Sequence, residues 1–298
     1  MIRKITVSDK PDILAIAART WEGEDYIPFI IDEWLEDNNS EFVGLWEDGK
    51  LVAFGRMKFI TPHDIWLEGL RKDPDSGVRG VGKKLTCYFL TLLKKVHDIR
   101  SIRFTTYFDN KASIHFNEQL GFRRSQVLSL KNLELKNYPA AMQANEDTYI
   151  PALREADAFI RHSRYFRSTL SADNRGLLYK GWIAYPYSIT LLEDYFRNDR
   201  IICIGDKNDI KGILLADQVN YPDIYWISLL AAENDKLLMR LLELAANSAK
   251  THNNNEIQLV LPQLPDVRKI CADFGFKSWE TENDYLLYEF PLDKLAVL

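Results

Sequence analysis

The order of predicted strands and helices occurs twice along this chain of 298 residues. In the first half, hydrophobic periodicity predicts a strand hairpin, a third strand, a long helix, a fourth strand and a short helix, at residues 41–59, 64–70, 85–96, 101–108 and 110–122. The same five elements follow in the second half, at residues 201–219, 223–230, 236–250, 256–261 and 265–276. Such shared order with little identity indicates an old duplication.

Three further elements precede the first hairpin: a strand and two helices, at residues 2–7, 9–21 and 26–37. A strand at residues 125–135 closes the first half, and small and polar residues at 137–147 then interrupt the pattern. We therefore predict two tandem α/β domains, residues 1–138 and 146–298, each with a mixed central sheet flanked by helices, the second being a degenerate copy of the first.

Composition limits the classes of partner. With 46% hydrophobic and 27% charged residues the chain is typical of globular proteins, and its net charge of -5 argues against a general nucleic-acid or anionic-membrane surface. Acidic residues come too early for a secretory signal and no apolar run approaches ~18 residues, so we expect a cytoplasmic protein. Scattered cysteines and histidines, without paired spacing, predict neither a disulfide framework nor a metal site.

A glycine-rich stretch, DPDSGVRGVGKKL at residues 73–85, lies between the third strand and the long helix. It misses the nucleoside-triphosphatase loop, because Lys84 stands where a hydroxyl should ligate magnesium, and the dinucleotide fingerprint, because Leu85 replaces its third glycine. Small residues still let backbone N–H groups approach an anion in front of a helix N-terminus. The alternatives are an anion site and a glycine-rich turn with solvated lysines. The second half has AAENDK at this place, without glycine and with two acids, which disfavours a pyrophosphate there.

A glycine loop of this kind, followed by a strand and by N-x-x-S-x-x-F-x-x-x-x-G-F at residues 110–122, resembles the GNAT superfamily of acyl-coenzyme A dependent N-acetyltransferases. The resemblance covers residues 2–135 and implies acetyl-CoA as co-substrate, without a metal. It also implies that the loop N–H groups hold the coenzyme pyrophosphate, while the end of the third strand pairs with the pantetheine arm. The implied coenzyme-binding residues are Leu70, Lys72, Gly77, Val78, Arg79, Gly80, Val81, Gly82, Lys83, Lys84, Asn110, Ser113 and Asn117.

Two positions depart from the pattern of the family. Gly77 stands where an Arg or Gln is usual, although Arg79 and the two lysines could supply the charge. Asn117 stands where a tyrosine commonly protonates the leaving thiolate. Because an amide cannot act as that acid, the thiolate must be stabilised otherwise or protonated by water.

Transfer of an acyl group to an amine needs a base, since an amine with a pKa near ~10.4 is protonated at neutral pH. Glu68 is the predicted base, because strand alternation places it on the same side as Leu70, two residues before the expected coenzyme contact. Its alternative role is a cross-strand partner for Arg56 or Lys58.

The acceptor is expected at the junction of the first two helices, where the family usually recognises it. Trp21, Glu22 and Tyr26, with the acids Glu24 and Asp25, form an acidic and aromatic group that suits a cationic amine, or else a solvated loop.

These observations predict an N-acetyltransferase that moves an acetyl group from acetyl-CoA to a primary amine, either a small molecule or a peptide, with no nucleic-acid or membrane partner. The chain is expected to act as a monomer or homodimer. Two rival hypotheses remain: a non-catalytic acyl-CoA-binding or regulatory protein, and a nucleotide-binding module that uses the near-match triphosphatase loop.

Overall fold

A computed structural model describes residues 1–137, 148–149, 175–198, 200–206, 209–218, 221 and 223–295 of the chain. The strands are β1 (Ile2–Lys4), β2 (Ser40–Glu47), β3 (Lys50–Thr61), β4 (Asp64–Lys72), β5 (Ser101–Tyr107), β6 (Arg123–Glu134), β7 (Thr148–Tyr149), β8 (Leu177–Lys180), β9 (Ile183–Pro186), β10 (Ile201–Asp206), β11 (Asp209–Gln218), β12 (Ile224–Ala232), β13 (Glu256–Leu261), β14 (Lys277–Ser278) and β15 (Tyr285–Glu289). The helices are α1 (Lys10–Ala17), α2 (Ile27–Glu36), α3 (Val81–Leu93), α4 (Lys111–Leu120), α5 (Ile189–Arg197), α6 (Asp235–Thr251), α7 (Pro265–Phe274) and α8 (Leu292–Leu295).

The chain divides into two compact units, Met1–Gln126 with Leu286–Leu298, and Val127–Tyr285. Each is a mixed sheet with helices, as predicted. The division differs from the predicted domains, 1–138 and 146–298, because most of β6 belongs to the second unit and the end of the chain belongs to the first. Strands join a sheet through hydrogen bonds and need not follow chain order. The predicted boundary at 137–147 lies outside the described residues except for Asn137.

The first unit has strand order β1-β2-β3-β4-β5-β15. The β2–β3 hairpin turns at Asp48 and Gly49, which have φ of 50° and 77°, as the predicted Asp-Gly turn requires. One side of this sheet carries a core formed with α1 and α2, in which Ile13, Trp34 and Phe54 are buried. α3 packs on the other side, since its Phe89 lies beside Gly55.

Two irregularities interrupt the sheet of the first unit at β4. Phe54 pairs with Arg71 and Arg56 pairs with Glu68, so Gly69 and Leu70 together face Gly55 and form a β-bulge. β4 and β5 are parallel but pair only over three residues, from Asp64–Ser101 to Trp66–Arg103, although β4 continues to Lys72 and β5 to Tyr107. The two strands therefore separate beyond Trp66, and the segment of β4 that carries the bulge has no strand partner on its β5 side among the described residues.

The second unit has strand order β6-β13-β12-β11-β10-β7 and repeats both irregularities. Leu215 pairs with Leu229 and Ala216 with Ile227, so Ser228 is the extra residue of a bulge in β12. The parallel pairing of β12 with β13 ends at Ile227–Leu259. This correspondence is consistent with the predicted duplication, and descent by duplication stays a prediction.

The described residues include no helix of the length and apolarity that crossing a membrane requires. Within the same residues no group of three or more His, Cys, Asp or Glu is arranged to hold a metal ion.

Candidate active site

The glycine loop folds as a short turn that leads into α3. Pro74–Ser76 form one helical turn, and the Asp73 carboxylate accepts the Asp75 N–H at its start (3.1 Å). Gly77 and Gly80 then take left-handed φ values of 63° and 72°, and no atom lies within 4 Å of where a Cβ would be at either. The space above both glycines is therefore open.

The loop offers N–H groups and positive charge in this open space. The N–H groups of Val81, Gly82 and Lys83, in the first turn of α3, find no acceptor among the described residues. Arg79 and Lys83 are exposed and form no ion pair within the described part of the chain. Lys84 differs, because its Nζ lies 2.9 Å from Glu47. These residues fit a pyrophosphate, with Arg79 and Lys83 as the available cations.

Gly82 has a packing role that its place in the loop did not reveal. A Cβ on Gly82 would lie 2.9 Å from the Phe116 ring of α4 and 3.2 Å from Leu70 in the bulge. The glycine thus allows α3 to approach α4 and β4 closely. Its proposed contribution to coenzyme binding through the backbone stays a prediction.

Three implied coenzyme contacts on α4 hydrogen-bond with one another. The exposed Asn110 caps the helix by accepting the Ser113 N–H (3.2 Å). Asn117 is buried and donates to the Ser113 carbonyl oxygen (3.0 Å) and to Ser113 Oγ (3.3 Å). These bonds therefore hold the Asn117 side chain against the preceding turn of its own helix.

Glu68 lies in a buried cluster of charges on the α2 side of the sheet. Its Oε1 accepts a hydrogen bond from Arg56 (2.5 Å), whose other nitrogen binds Asp37, and the Arg56 guanidinium lies 4.8 Å from the centre of the Trp34 ring. The alternative role of Glu68 as a cross-strand partner of Arg56 is thus observed. Its Oε2 accepts no hydrogen bond from the described residues. Burial raises the Glu68 pKa, while the positive charge of Arg56 and that of Lys58 counteract this rise.

The prediction that Glu68 and Leu70 share a face of the strand is wrong. Leu70 contacts Gly55 and Gly82 on the α3 side, whereas Glu68 binds Arg56 on the α2 side. The bulge is the physical reason, because its extra residue resets the alternation of side chains. The side chains of Glu68 and Leu70 therefore lie on opposite faces of the sheet, in the part of β4 that extends beyond its pairing with β5.

The predicted acceptor residues surround a buried arginine that the sequence did not single out. Arg71 and Asp25 form a two-pronged ion pair, with 2.7 Å from Nε to Oδ2 and 2.9 Å from the terminal nitrogen to Oδ1. The Arg71 guanidinium lies 4.1 Å from the Trp21 ring centre and 5.1 Å from that of Tyr26. Burial raises the Tyr26 pKa to about 12, so this phenol stays neutral. Glu22 is exposed and points to no described partner.

One signal in the sequence could have revealed this arrangement. Gly69 interrupts a strand pattern, which is typical of a bulge or of a close approach by another group. It has φ of 65°, and the Trp34 ring occupies the space within 2.3 Å of where its Cβ would be. By contrast, the sequence gives no sign that Arg71 and Arg56 are special, because only the packing of the helices against the sheet buries them.

The corresponding place in the second unit differs chemically. Asn234 caps α6 by accepting the Leu237 N–H (3.0 Å), and Asp235 puts a negative charge in its first turn. Cys271 occupies the position that matches Asn117, and burial raises the pKa of its thiol to about 12. A narrow cleft where β12 and β13 separate is lined almost wholly by aliphatic side chains, among them Leu230 and Leu261. These features offer nothing to a pyrophosphate.

Residues 6–122 of the chain match the family model described as the acetyltransferase (GNAT) family. A curated relative, a histidine N-acetyltransferase of Oreochromis niloticus, is 25% identical over 140 residues, which are 45% of this chain and 39% of that protein. The chain thus matches well under half the length of that relative.

Two solved structures show the same fold over nearly the whole chain. A GCN5-related N-acetyltransferase from Sphaerobacter thermophilus has a TM-score of 0.70 at 14% identity, covering 97% of this chain and 94% of its own. A tandem GNAT protein from the clavulanic acid biosynthesis pathway has a TM-score of 0.62 at 12% identity, covering 97% of both chains.

Proposed function

We propose that this protein is an acyl-CoA-dependent N-acetyltransferase that moves an acetyl group from acetyl-CoA to a primary amine by direct attack on the thioester. One observation carries the proposal: Leu70, at the bulge, packs against Gly82 at the start of α3. The unpaired edge of β4 and the free N–H groups of α3 therefore lie at one place. An extended pantetheine arm can pair with the first while its pyrophosphate meets the second.

Glu68 is the residue that we assign as the base. Its Oε1 is held by Arg56, which leaves Oε2 to accept a proton from the attacking ammonium group. Burial raises its pKa above that of an ordinary carboxyl, which makes the carboxylate a stronger proton acceptor. The amine nitrogen then bonds to the thioester carbon, and the carbon–sulfur bond breaks. The second proton, which the nitrogen loses as the amide forms, passes through water to the departing thiolate. Backbone N–H groups of the bulge are the candidates for stabilising the oxyanion.

Asn117 cannot protonate the departing thiolate, so we assign that proton to water. The same observation favours the second candidate function, a protein that binds acyl-CoA without turning it over.

The acceptor is proposed to be a cationic amine, because the α1–α2 turn and α2 carry exposed acids that form no ion pair within the described residues, such as Glu22, Glu33 and Glu36.

The test is titration calorimetry of the full chain with acetyl-CoA, and with magnesium-ATP for comparison, followed by transfer assays. The amine panel contains diamines, free amino acids including histidine, and peptides with a free N-terminus. Acetyl-CoA binding with acetylation of at least one amine supports the transferase. Binding without turnover favours the acyl-CoA-binding protein, and tight magnesium-ATP binding contradicts both.

A further inference from the structure

The ion pair of Arg71 and Asp25 lies in the interior of the first unit. The two side chains are 6% and 1% exposed, respectively. Burying two charges costs desolvation free energy, so such a pair is weak evidence for added stability. Its geometry is specific, however, because only a guanidinium presents two parallel N–H bonds to one carboxylate.

The pair connects the two sides of the candidate active site. Asp25 belongs to the turn between α1 and α2, and its Oδ1 also accepts the Ile27 N–H (3.2 Å) at the start of α2. Arg71 directly follows the bulge, and its remaining terminal nitrogen donates to the Leu70 carbonyl oxygen (3.2 Å). One guanidinium therefore bonds the acceptor-side turn and the strand expected to hold the coenzyme.

The turn itself has a backbone that needs such support. Trp21, Glu22 and Gly23 have φ of 48°, 59° and 92°, three successive left-handed residues. Non-glycine residues keep this conformation only where their surroundings impose it. Here the Trp21 ring rests on the Arg71 guanidinium while remaining 55% exposed. The contact thus presents one face of an indole to solvent beside β4.

We propose that Arg71 is a positioning residue that holds the α1–α2 turn, residues 18–26, against the bulge of β4. Arg71 holds the α1–α2 turn through Asp25, and it holds the Leu70 carbonyl of β4 by a direct hydrogen bond. The proposed amine and acyl-CoA sites are therefore both positioned by this one side chain. This inference rests on the proposed acetyl transfer for its kinetic consequences, and on the unliganded protein for its structural one.

Arg71→Lys and Asp25→Asn separate the two connections. Lysine keeps the charge but cannot make the two-pronged bond. Asparagine weakens the bond to the turn and leaves the bond to Leu70 in place. Arg3→Lys is a matched control, because Arg3 makes the same two-pronged bond to Asp9 (2.7 and 2.8 Å) and lies 3.6 Å from the Trp46 ring centre.

The first measurement is hydrogen exchange of the unliganded full chain. We expect Arg71→Lys to speed exchange in residues 18–26 at least tenfold, and Arg3→Lys to leave it unchanged. Unaltered exchange in a folded Arg71→Lys chain overturns the proposal. If that variant does not fold, the double variant Arg71→Met/Asp25→Leu removes both buried charges and is held to the same expectation.

The second measurement compares KM for the amine with the dissociation constant for acetyl-CoA. Arg71→Lys and Asp25→Asn should each raise KM for the amine at least tenfold. Only Arg71→Lys should weaken acetyl-CoA binding, by about fivefold or more. Equal weakening of acetyl-CoA binding in both variants contradicts the shared anchor. If no amine is acetylated by the native chain, the proposed function fails, and the exchange measurement still decides the role of Arg71.

Discussion

At Glu68 a structural bond and a proposed chemical role fall on the same carboxylate. One oxygen is committed to Arg56, which is 1% exposed and depends on Glu68 and Asp37 for its charge balance. The other oxygen accepts no hydrogen bond from the described residues. The ion pair is therefore compatible with the proposed role of Glu68 as the base.

We expect Glu68→Gln to lower kcat by roughly 10²–10⁴-fold with nearly unchanged acetyl-CoA affinity, because the side chain acts on the amine. A base works only when deprotonated, and burial raises the Glu68 pKa. Native activity should therefore fall on the acid side at a higher pH than an ordinary carboxyl would give. That limb should disappear in the glutamine variant, and an unchanged pH–rate profile would refute the assignment.

Gly69 is the residue on which the bulge depends. We expect Gly69→Ala to lower the free energy of unfolding by about 2–4 kcal/mol, because it combines a left-handed φ with a collision against the Trp34 ring. Chemical denaturation measures this change. Gly49→Ala is the control, since Gly49 has φ of 77° but open space around it. An equal loss in both variants would mean that Trp34 yields freely.

The glycine loop and α3 act as one element, in which two glycines face solvent and a third allows packing. Gly82 is unsuitable for a test of anion binding, because any side chain there meets Phe116. Gly80 is suitable, because it precedes α3 and a Cβ would meet nothing within 4 Å.

Gly80→Asp should weaken acetyl-CoA binding at least tenfold more than Gly80→Asn. Both side chains have the same shape and both tolerate a left-handed φ, so the difference measures charge at the helix N-terminus. Titration calorimetry of the full chain gives the affinities and should also give one acetyl-CoA per chain. Similar affinities in the two variants, or a stoichiometry near two, would contradict this reading of the loop and of the second unit.

At the scale of the whole molecule, the last strand of the chain completes the sheet of the first unit. The Phe290 N–H donates to the Ile102 carbonyl (2.9 Å), Tyr288 stacks on Phe104 at 5.2 Å between ring centres, and Arg103 pairs with Glu289 (3.0 Å). The matched family segment, residues 6–122, thus lacks a strand of its own sheet.

A fragment of residues 1–126 should therefore fail to show a cooperative thermal transition or acetyl-CoA binding, because β5 is left as a bare edge. Joining residues 284–298 to it through a flexible linker should restore both. Calorimetric melting and coenzyme titration compare the two fragments. A stably folded 1–126 fragment that binds acetyl-CoA would show that β15 is dispensable.

Much of the architecture followed from local pattern. The Asp-Gly hairpin and the cap of α4 at Gly121 depend on neighbours in sequence, and the structure has both. The start of α3 at Val81 differs from the predicted start at residue 85, because the first turn of the helix includes Gly82. The order of elements in the second half was predicted for the same reason.

The sequence by itself determined the order of strands and helices in the two repeated segments and the position of the glycine loop, because turn chemistry and hydrophobic period act over a few residues. The tertiary structure alone decided that Glu68 and Leu70 face opposite ways, that Arg71 joins the turn at Asp25 to β4, and that β15 completes the first sheet. A bulge resets alternation by one residue, and pairing across a sheet joins segments far apart in the chain, so neither leaves a periodic signal in the sequence.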